Sequence, residues 1–280
     1  MKKAPINKII KFSNVDGPGN RTAIFLQVCP FNCLYCHNPE TINLCKHCGS
    51  CIDTCPTKAL SFNSNHKVVW NKKLCIDCDT CLKTCTKNAS PKIQIYTSDA
   101  LLTEILRQKA FIKGITTSGG ECMVHAEFLL ELFKKVKAHN LTCLIDSNGH
   151  YLFEKYPELL EISDGVMLDI KAYNNDFHKV LIGVSNNNVI KNLKYLLEHN
   201  KLQEVRTVLL PNHDDQNEET VRNVSKIIQG NVTYKLLRYR PFGVRDEGIK
   251  FIGNEIYSEE KAQSLAKLAI KLGASKTIVI

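Results

Sequence analysis

Short apolar runs alternate along this chain with longer stretches in which apolar residues recur every three or four positions. Residues 22–28 (TAIFLQV) form a short apolar run of β character, preceded by the turn-rich NVDGPGN. After a cysteine-dense block the alternation becomes regular. Residues 99–113 have helical spacing, with Ser98 or Asp99 as the cap, and 114–117 read as a strand running into Ser118-Gly119-Gly120-Glu121. Helices are then predicted at 125–139, 151–160, 189–199, 218–228 and 258–272. Strands are predicted at 141–146, 165–170, 205–210, 233–238 and 277–280. Repeated β–α units require parallel strands with helices outside, as a barrel or an open sheet. In either, polar residues just past the carboxyl ends of the strands form the active site. Three such ends are polar here: Ser118-Gly119-Gly120-Glu121, Asp146-Ser147-Asn148-Gly149 and Asp169-Ile170-Lys171. Turn chemistry alone accounts for any one of them, but recurrence on successive units favours a site.

Composition narrows the class. With 280 residues, 44% hydrophobic and 23% charged, the chain has the balance of a globular protein and length for one large α/β domain or two smaller ones. No run of 18 apolar residues occurs, so no membrane-spanning helix is expected. The residues after Met1-Lys2-Lys3 lack the apolar core and cleavage site of a signal peptide, which reads as cytoplasmic. The formal charge of +9 is scattered, with no basic stripe, and nucleic-acid binding is not expected.

Cysteine changes the picture most. Eleven of the 13 lie between Cys29 and Cys85, a thiol-dense block inside a long aliphatic chain, which in a reducing compartment reads as metal binding. Cys29, Cys33 and Cys36 are spaced C-x3-C-x2-C after a strand. Three thiolates leave one corner of an iron–sulfur cube free for a substrate; zinc is the other reading, with adjacent His37 as fourth ligand. Cys45, Cys48, Cys51 and Cys55 are spaced C-x2-C-x2-C-x3-C, and Cys75, Cys78, Cys81 and Cys85 repeat the pattern. This is bacterial ferredoxin spacing, in which the fourth cysteine of each run ligates the other run's cluster. The expected sets are therefore Cys45, Cys48, Cys51 and Cys85, and Cys75, Cys78, Cys81 and Cys55. Three [4Fe–4S] centres would bring the net charge to roughly +4. Cys122 and Cys143, in or beside predicted strands, read as small buried hydrophobes, and Trp70 as packing within the block.

The three-cysteine loop, with Tyr35 before its last cysteine, resembles the radical S-adenosylmethionine (SAM) superfamily. The stretch VDGPGNRTAIFLQVCPFNCLYCHNPE (15–40) is similar to the activating enzymes of glycyl radical enzymes, of which the pyruvate formate-lyase activating enzyme is the best known. TTSGGE, DSNGH, VMLDIKAYNNDFHKVLIGVSN and VRTVLLP follow in that family's order, and the cysteine-rich insert resembles that of its longer members, with YjjW-type activases the nearest match. The resemblance implies a partial (β/α)6 TIM-like radical SAM barrel with an inserted two-cluster ferredoxin-like domain. Its start would be 1–39, the insert 40–95 and the remainder of the barrel 96–280.

It also implies an oxidoreductase that reductively cleaves SAM to a 5′-deoxyadenosyl radical, which abstracts hydrogen from a glycine of a partner glycyl radical enzyme. Electrons would come from a donor such as flavodoxin or ferredoxin, with the two insert clusters as relay. Cys29, Cys33 and Cys36 would hold the catalytic cluster, three [4Fe–4S] clusters being present in all. Tyr35 and His37 would flank the adenine. Ser118, Gly119, Gly120 and Glu121 would approach the methionyl amine, Asp169, Ile170 and Lys171 the methionyl and ribose end, and Arg206 the SAM carboxylate. Asp146, Met167 and Asp169 match positions that hold a monovalent cation. Two departures stand out. Arg240 in LLRYRP occupies the place of a common histidine and cannot accept a proton at neutral pH, although contact with adenine or ribose survives, and DSNG replaces DTNG. The alternatives are a radical SAM enzyme for a small molecule or another peptide, and an iron–sulfur electron-transfer protein without SAM chemistry.

Overall fold

The computed structural model describes residues 2–230 and 232–280. Strand β1 (Lys3–Ser13) pairs antiparallel with β2 (Arg21–Leu26). A cysteine-rich stretch follows, holding a two-stranded ribbon of β3 (Leu60–Phe62) and β4 (Val68–Trp70) and the short helix α1 (Thr80–Thr84). The chain rejoins the main sheet at β5 (Gln94–Thr97), on the far side of β1. It then runs α2 (Ser98–Leu106), β6 (Gly114–Gly119), α3 (Ala126–Lys137), β7 (Thr142–Ser147), α4 (Pro157–Ile162) and β8 (Gly165–Asp169). Next come α5 (Asn175–Ile182), α6 (Asn187–Glu198), β9 (Leu202–Leu209), α7 (Asp214–Ile228), β10 (Thr233–Arg238), α8 (Asp246–Ile252), α9 (Glu259–Lys271) and β11 (Lys276–Val279).

Among the described residues the main sheet has nine strands in the order β11-β10-β9-β8-β7-β6-β2-β1-β5, with β5 and β11 as its two edges. Every pairing from β2 to β11 is parallel, and only β1 and β5 run against their neighbours. The central strands are apolar on both faces: Ile24, Ile115, Ile145, Val166, Leu168 and Val205 are fully buried, as covered parallel strands require. Phe128, Leu129, Leu132, Phe133 and Val136 of α3 are buried at the spacing of one helical stripe. The sheet is therefore mainly parallel and α/β. Every sequence-predicted strand lies in it, and Cys122 and Cys143 are buried as expected.

The differences have local causes. The cap of α2 is Thr97, whose hydroxyl accepts from the Ala100 N–H at 3.2 Å, in place of Ser98 or Asp99; Ser98 is buried and donates to Glu131. The helix also stops at Leu106, short of residue 113, with only a 3₁₀ turn at Lys109–Phe111 beyond it. Strand β1 escaped prediction because its mixed lysine and isoleucine positions, on a partly exposed strand, lack clean alternation. Helix α5 did have punctuation: the Asn174 side chain caps Asp176 and Phe177, and Gly183 ends it at φ 91°.

The cysteine-rich stretch has little core of its own. Cys51, Leu60 and Val68 are its buried cluster, with Ile52, Cys55, Trp70 and Cys81 packed around them. The expected boundary after residue 95 falls inside β5. The stretch is tied to the carboxyl end of β2 by main-chain bonds from Val28 N to Thr41 O (2.8 Å) and from Cys29 N to Ile42 O (3.0 Å).

Candidate functional site

Three cysteines lie in the loop that leaves β2. Val28 enters it at φ 83°, a strained value for a β-branched residue, and is held there by bonds to Thr41 O and from Glu121 N. The loop is pinned from three sides. Asn32 N and Leu34 N donate to Ile182 O and Leu181 O at the end of α5, at 3.0 and 2.9 Å. Arg245 donates to Cys33 O at 3.0 Å, and the His37 ring meets Arg240 O at 2.8 Å. Arg240 thus arrives beside the loop through its backbone, with its side chain exposed.

All 13 cysteines are free thiols. Burial pushes the Cys29, Cys33 and Cys36 thiols upward, Cys33 to about 12. Bare thiolates are disfavoured there, and metal ligation is what deprotonates thiols so placed. Among the described residues no three His, Cys, Asp or Glu side chains converge on a single-ion position. The His37 ring is engaged by Arg240 O, and three thiols in one loop suit a cluster ligated at three corners.

Opposite the loop, β6 ends in Ser118 and Gly119. A Cβ at Gly119 would stand 2.2 Å from Leu26 N, and one at Gly120 would stand 2.4 Å from Val28 O. The two glycines are therefore demanded by the backbone of β2, against which Gly120 N and Glu121 N donate to Leu26 O and Val28 O. Glu121, expected near the methionyl amine, is fully buried and committed to neighbours. Its carboxylate accepts from Met123 N at 3.0 Å, the Ser147 hydroxyl at 2.9 Å and Asn148 N at 2.7 Å. Burial lifts it to about 7 against the pull of those donors. It clasps the β6 and β7 loops together.

Strand register gathers the other candidates. Asp146 is the partner of Met167, and Asp169 of Arg206, across β7, β8 and β9, and alternation turns these residues to one face. The Arg206 guanidinium donates to both Asp146 oxygens at 3.1 Å, to Met167 Sδ at 3.1 Å and to Glu204. Burial works against its charge, but Asp146 and Glu204 outweigh it and hold Arg206 firmly protonated. Lys235 takes the other oxygen of Glu204 at 2.7 Å. Asp169 pairs with Lys171 at 3.0 Å, and the Lys171 ammonium lies 5.6 Å from the Tyr35 ring centre. Tyr35 is buried with its hydroxyl unpartnered. Ile170, between Asp169 and Lys171, is core.

Residues expected to meet a cation or the SAM carboxylate have protein partners in this arrangement. The carboxylate and sulfur expected to bind a monovalent cation are occupied by a guanidinium that the chain itself carries, and Asp169 is taken by Lys171. Arg206, expected near the SAM carboxylate, is bonded to the protein acids Asp146 and Glu204. Sequence reading assigned no role to Asn148, Glu204 or Arg245. Asn148 lay in a motif already noted, whereas nothing local marks the other two.

In the cysteine-rich stretch, two cavities divide eight cysteines across the two runs. One is lined by Cys45, Cys48, Cys51 and Cys85, the other by Cys55, Cys75, Cys78 and Cys81. Trp70 lines the second, as insert packing.

No helix among the described residues is long and apolar enough to cross a membrane. The Radical SAM superfamily matches residues 23–224. The chain is 32% identical to the trans-4-hydroxy-L-proline dehydratase activating enzyme of Clostridioides difficile, over 92% of this chain and 93% of that one. It is 28% identical to the pyruvate formate-lyase-activating enzyme of Streptococcus mutans, over 85% and 78%. QueE from Escherichia coli shares the fold, with a TM-score of 0.55 at 14% identity over 99% of this chain and 92% of that one. A three-thiol loop with Cys33 buried, at the carboxyl ends of a mainly parallel sheet, in a chain so related, places this protein in the radical SAM superfamily, among the activating enzymes of glycyl radical enzymes.

Proposed function

We propose that this chain activates a partner glycyl radical enzyme by removing one hydrogen from a glycine Cα. The observation that carries this reading is the placement of three free thiols in one loop, Cys33 buried and Cys29 and Cys36 half-buried, within electrostatic reach of Lys171 and Asp169. With a [4Fe–4S] cluster and SAM bound, that site supplies a 5′-deoxyadenosyl radical, one electron having entered the sulfonium carbon–sulfur bond and methionine having left.

The chain's own residues supply ligation, orientation and dryness. Cys29, Cys33 and Cys36 would hold three corners of the cluster and leave the fourth for SAM. The buried Tyr35 ring and the Lys171 ammonium above it form a wall suited to an adenine face and a polar ribose edge. Main-chain bonds from α5 and the Arg245 side chain keep the loop from yielding as the ligand enters. A partner's glycine loop would close the open end of the site and exclude water from a species that attacks most C–H bonds.

The insert would hold two further [4Fe–4S] clusters, on Cys45, Cys48, Cys51 and Cys85 and on Cys75, Cys78, Cys81 and Cys55. The two four-cysteine cavities and the scant apolar core support this, since ligation would provide folding energy that three buried side chains cannot. Bonds from the insert to the backbone of Val28 and Cys29 support a relay of electrons from a flavodoxin- or ferredoxin-type donor.

Electron paramagnetic resonance tests the reading. Reduced, reconstituted protein with SAM and a co-encoded glycyl radical enzyme should generate a glycine-centred doublet. 5′-Deoxyadenosine without the doublet would move the chain to small-molecule or peptide chemistry, and failure to cleave SAM would leave electron transfer alone.

A further inference from the structure

Asn148 makes three polar contacts that together point at the cluster loop. Its N–H donates to Glu121 at 2.7 Å, and its side-chain oxygen accepts from His150 N at 3.0 Å. Its side-chain nitrogen lies 3.5 Å from Cys29 Sγ. The first two bonds determine the third: with the oxygen claimed by an N–H, the NH₂ end must face the sulfur. The residue is 6% exposed, so water does not compete well for that amide. The loop behind it is braced, Gly149 N donating to the Ser147 hydroxyl at 3.0 Å and Asn192 donating to Gly149 O at 2.8 Å.

We propose that Asn148 is a positioning residue that raises the reduction potential of the SAM-binding cluster by donating a hydrogen bond to the Cys29 thiolate. The proposal rests on the cluster assigned above to Cys29, Cys33 and Cys36. A cluster that gains an electron spreads the added charge onto its thiolate sulfurs, so a donor there stabilises the reduced form more than the oxidised one. The effect eases arrival of the electron, the step that precedes SAM cleavage. Glu121 acts one position further out, through its hold on the Asn148 backbone.

The test is a potentiometric titration of the reconstituted protein and its Asn148→Leu variant. It is followed only through the paramagnetic signal that SAM perturbs, which separates this cluster from those of the insert. The variant should keep its iron and show a more negative midpoint, its reduced-to-oxidised ratio at the wild-type midpoint falling about threefold to tenfold. Asn148→Asp, which puts an acceptor where the donor was, should move the midpoint further in the same direction. An unchanged midpoint at full iron content overturns the proposal. If the variants lose iron, wild-type protein carrying ¹⁵N in its asparagine side-chain amides decides: nitrogen coupling on the SAM-sensitive signal supports the bond, and its absence overturns it. Should wild-type protein show no SAM-sensitive signal at all, the underlying cluster assignment fails and this inference falls with it.

Discussion

Gly248 of α8 rests directly on the carbonyl of Leu34, so close that a Cβ at position 248 would stand 1.9 Å from the Leu34 oxygen. Three residues earlier, Arg245 donates to Cys33 O. A segment more than 200 residues downstream thus forms the backing of the cysteine loop. Gly248→Ala meets backbone that cannot swing aside, so either α8 or the loop must move, at a cost of roughly 1–3 kcal/mol. The expected result is a lower thermal midpoint and selective loss of the loop's share of the iron, with the insert's share retained. Iron analysis and melting of the anaerobic protein check both, and an alanine variant with full iron and unchanged melting would contradict the contact.

The insert offers a test of pairing through non-additivity. If Cys48 and Cys85 serve one cluster, replacing both with alanine should remove about four irons, no more than either single change. Replacing Cys48 and Cys55 should remove about eight, because these face different cavities. Iron per chain in the two double variants separates interleaved from run-by-run ligation, which gives the opposite pattern.

Removing the Arg206 guanidinium leaves Asp146 without its main counter-charge and Glu204 with Lys235 alone. Breaking a buried ion pair from one side costs about 3–5 kcal/mol. Arg206→Gln should therefore lose that much in urea unfolding, and Asp146→Asn added to it should recover part of the loss. Independent, additive losses would show that the two residues do not act as a pair.

Glu121 sets a pH dependence. Its folded-state value of about 7 lies above the ordinary 4.5. Its contribution to stability is therefore fully present below pH 4.5 and is lost as pH rises through 7, by roughly 3 kcal/mol in all. Glu121→Gln should abolish that slope. It should also lower stability at acidic pH, because a carboxamide NH₂ would face one of the three donors that now converge on the acid. Thermal midpoints of both proteins between pH 5 and 8 decide it, and parallel profiles would exclude Glu121 as the titrating group.

The strands and most helices were legible because burial imposes periods of two and 3.6 on any segment that must hide one face or both. The missed elements include β1, half exposed with scattered lysines, the short elements β3, β4, α1 and β5 within and after the cysteine-rich stretch, and the short helices α5 and α8. The glycines of the Ser118–Glu121 stretch were visible, and the structure adds a second demand on them, the close approach of the Leu26 and Val28 backbone.

Local sequence determined the chemistry available to this protein: three thiols in one loop, two runs of four with one spacing, and a polar end on successive strands. Thiol spacing and strand periodicity act over a few residues and are complete within the chain's own order. Tertiary structure alone decided what those groups do to one another. The Arg206 charge is spent on Asp146, Met167 and Glu204 because parallel register brings three strands abreast. The Asn148 amide meets Cys29 because two loops 119 residues apart share one end of the sheet. Such pairings depend on long-range packing, which leaves no periodic mark on the segments it joins.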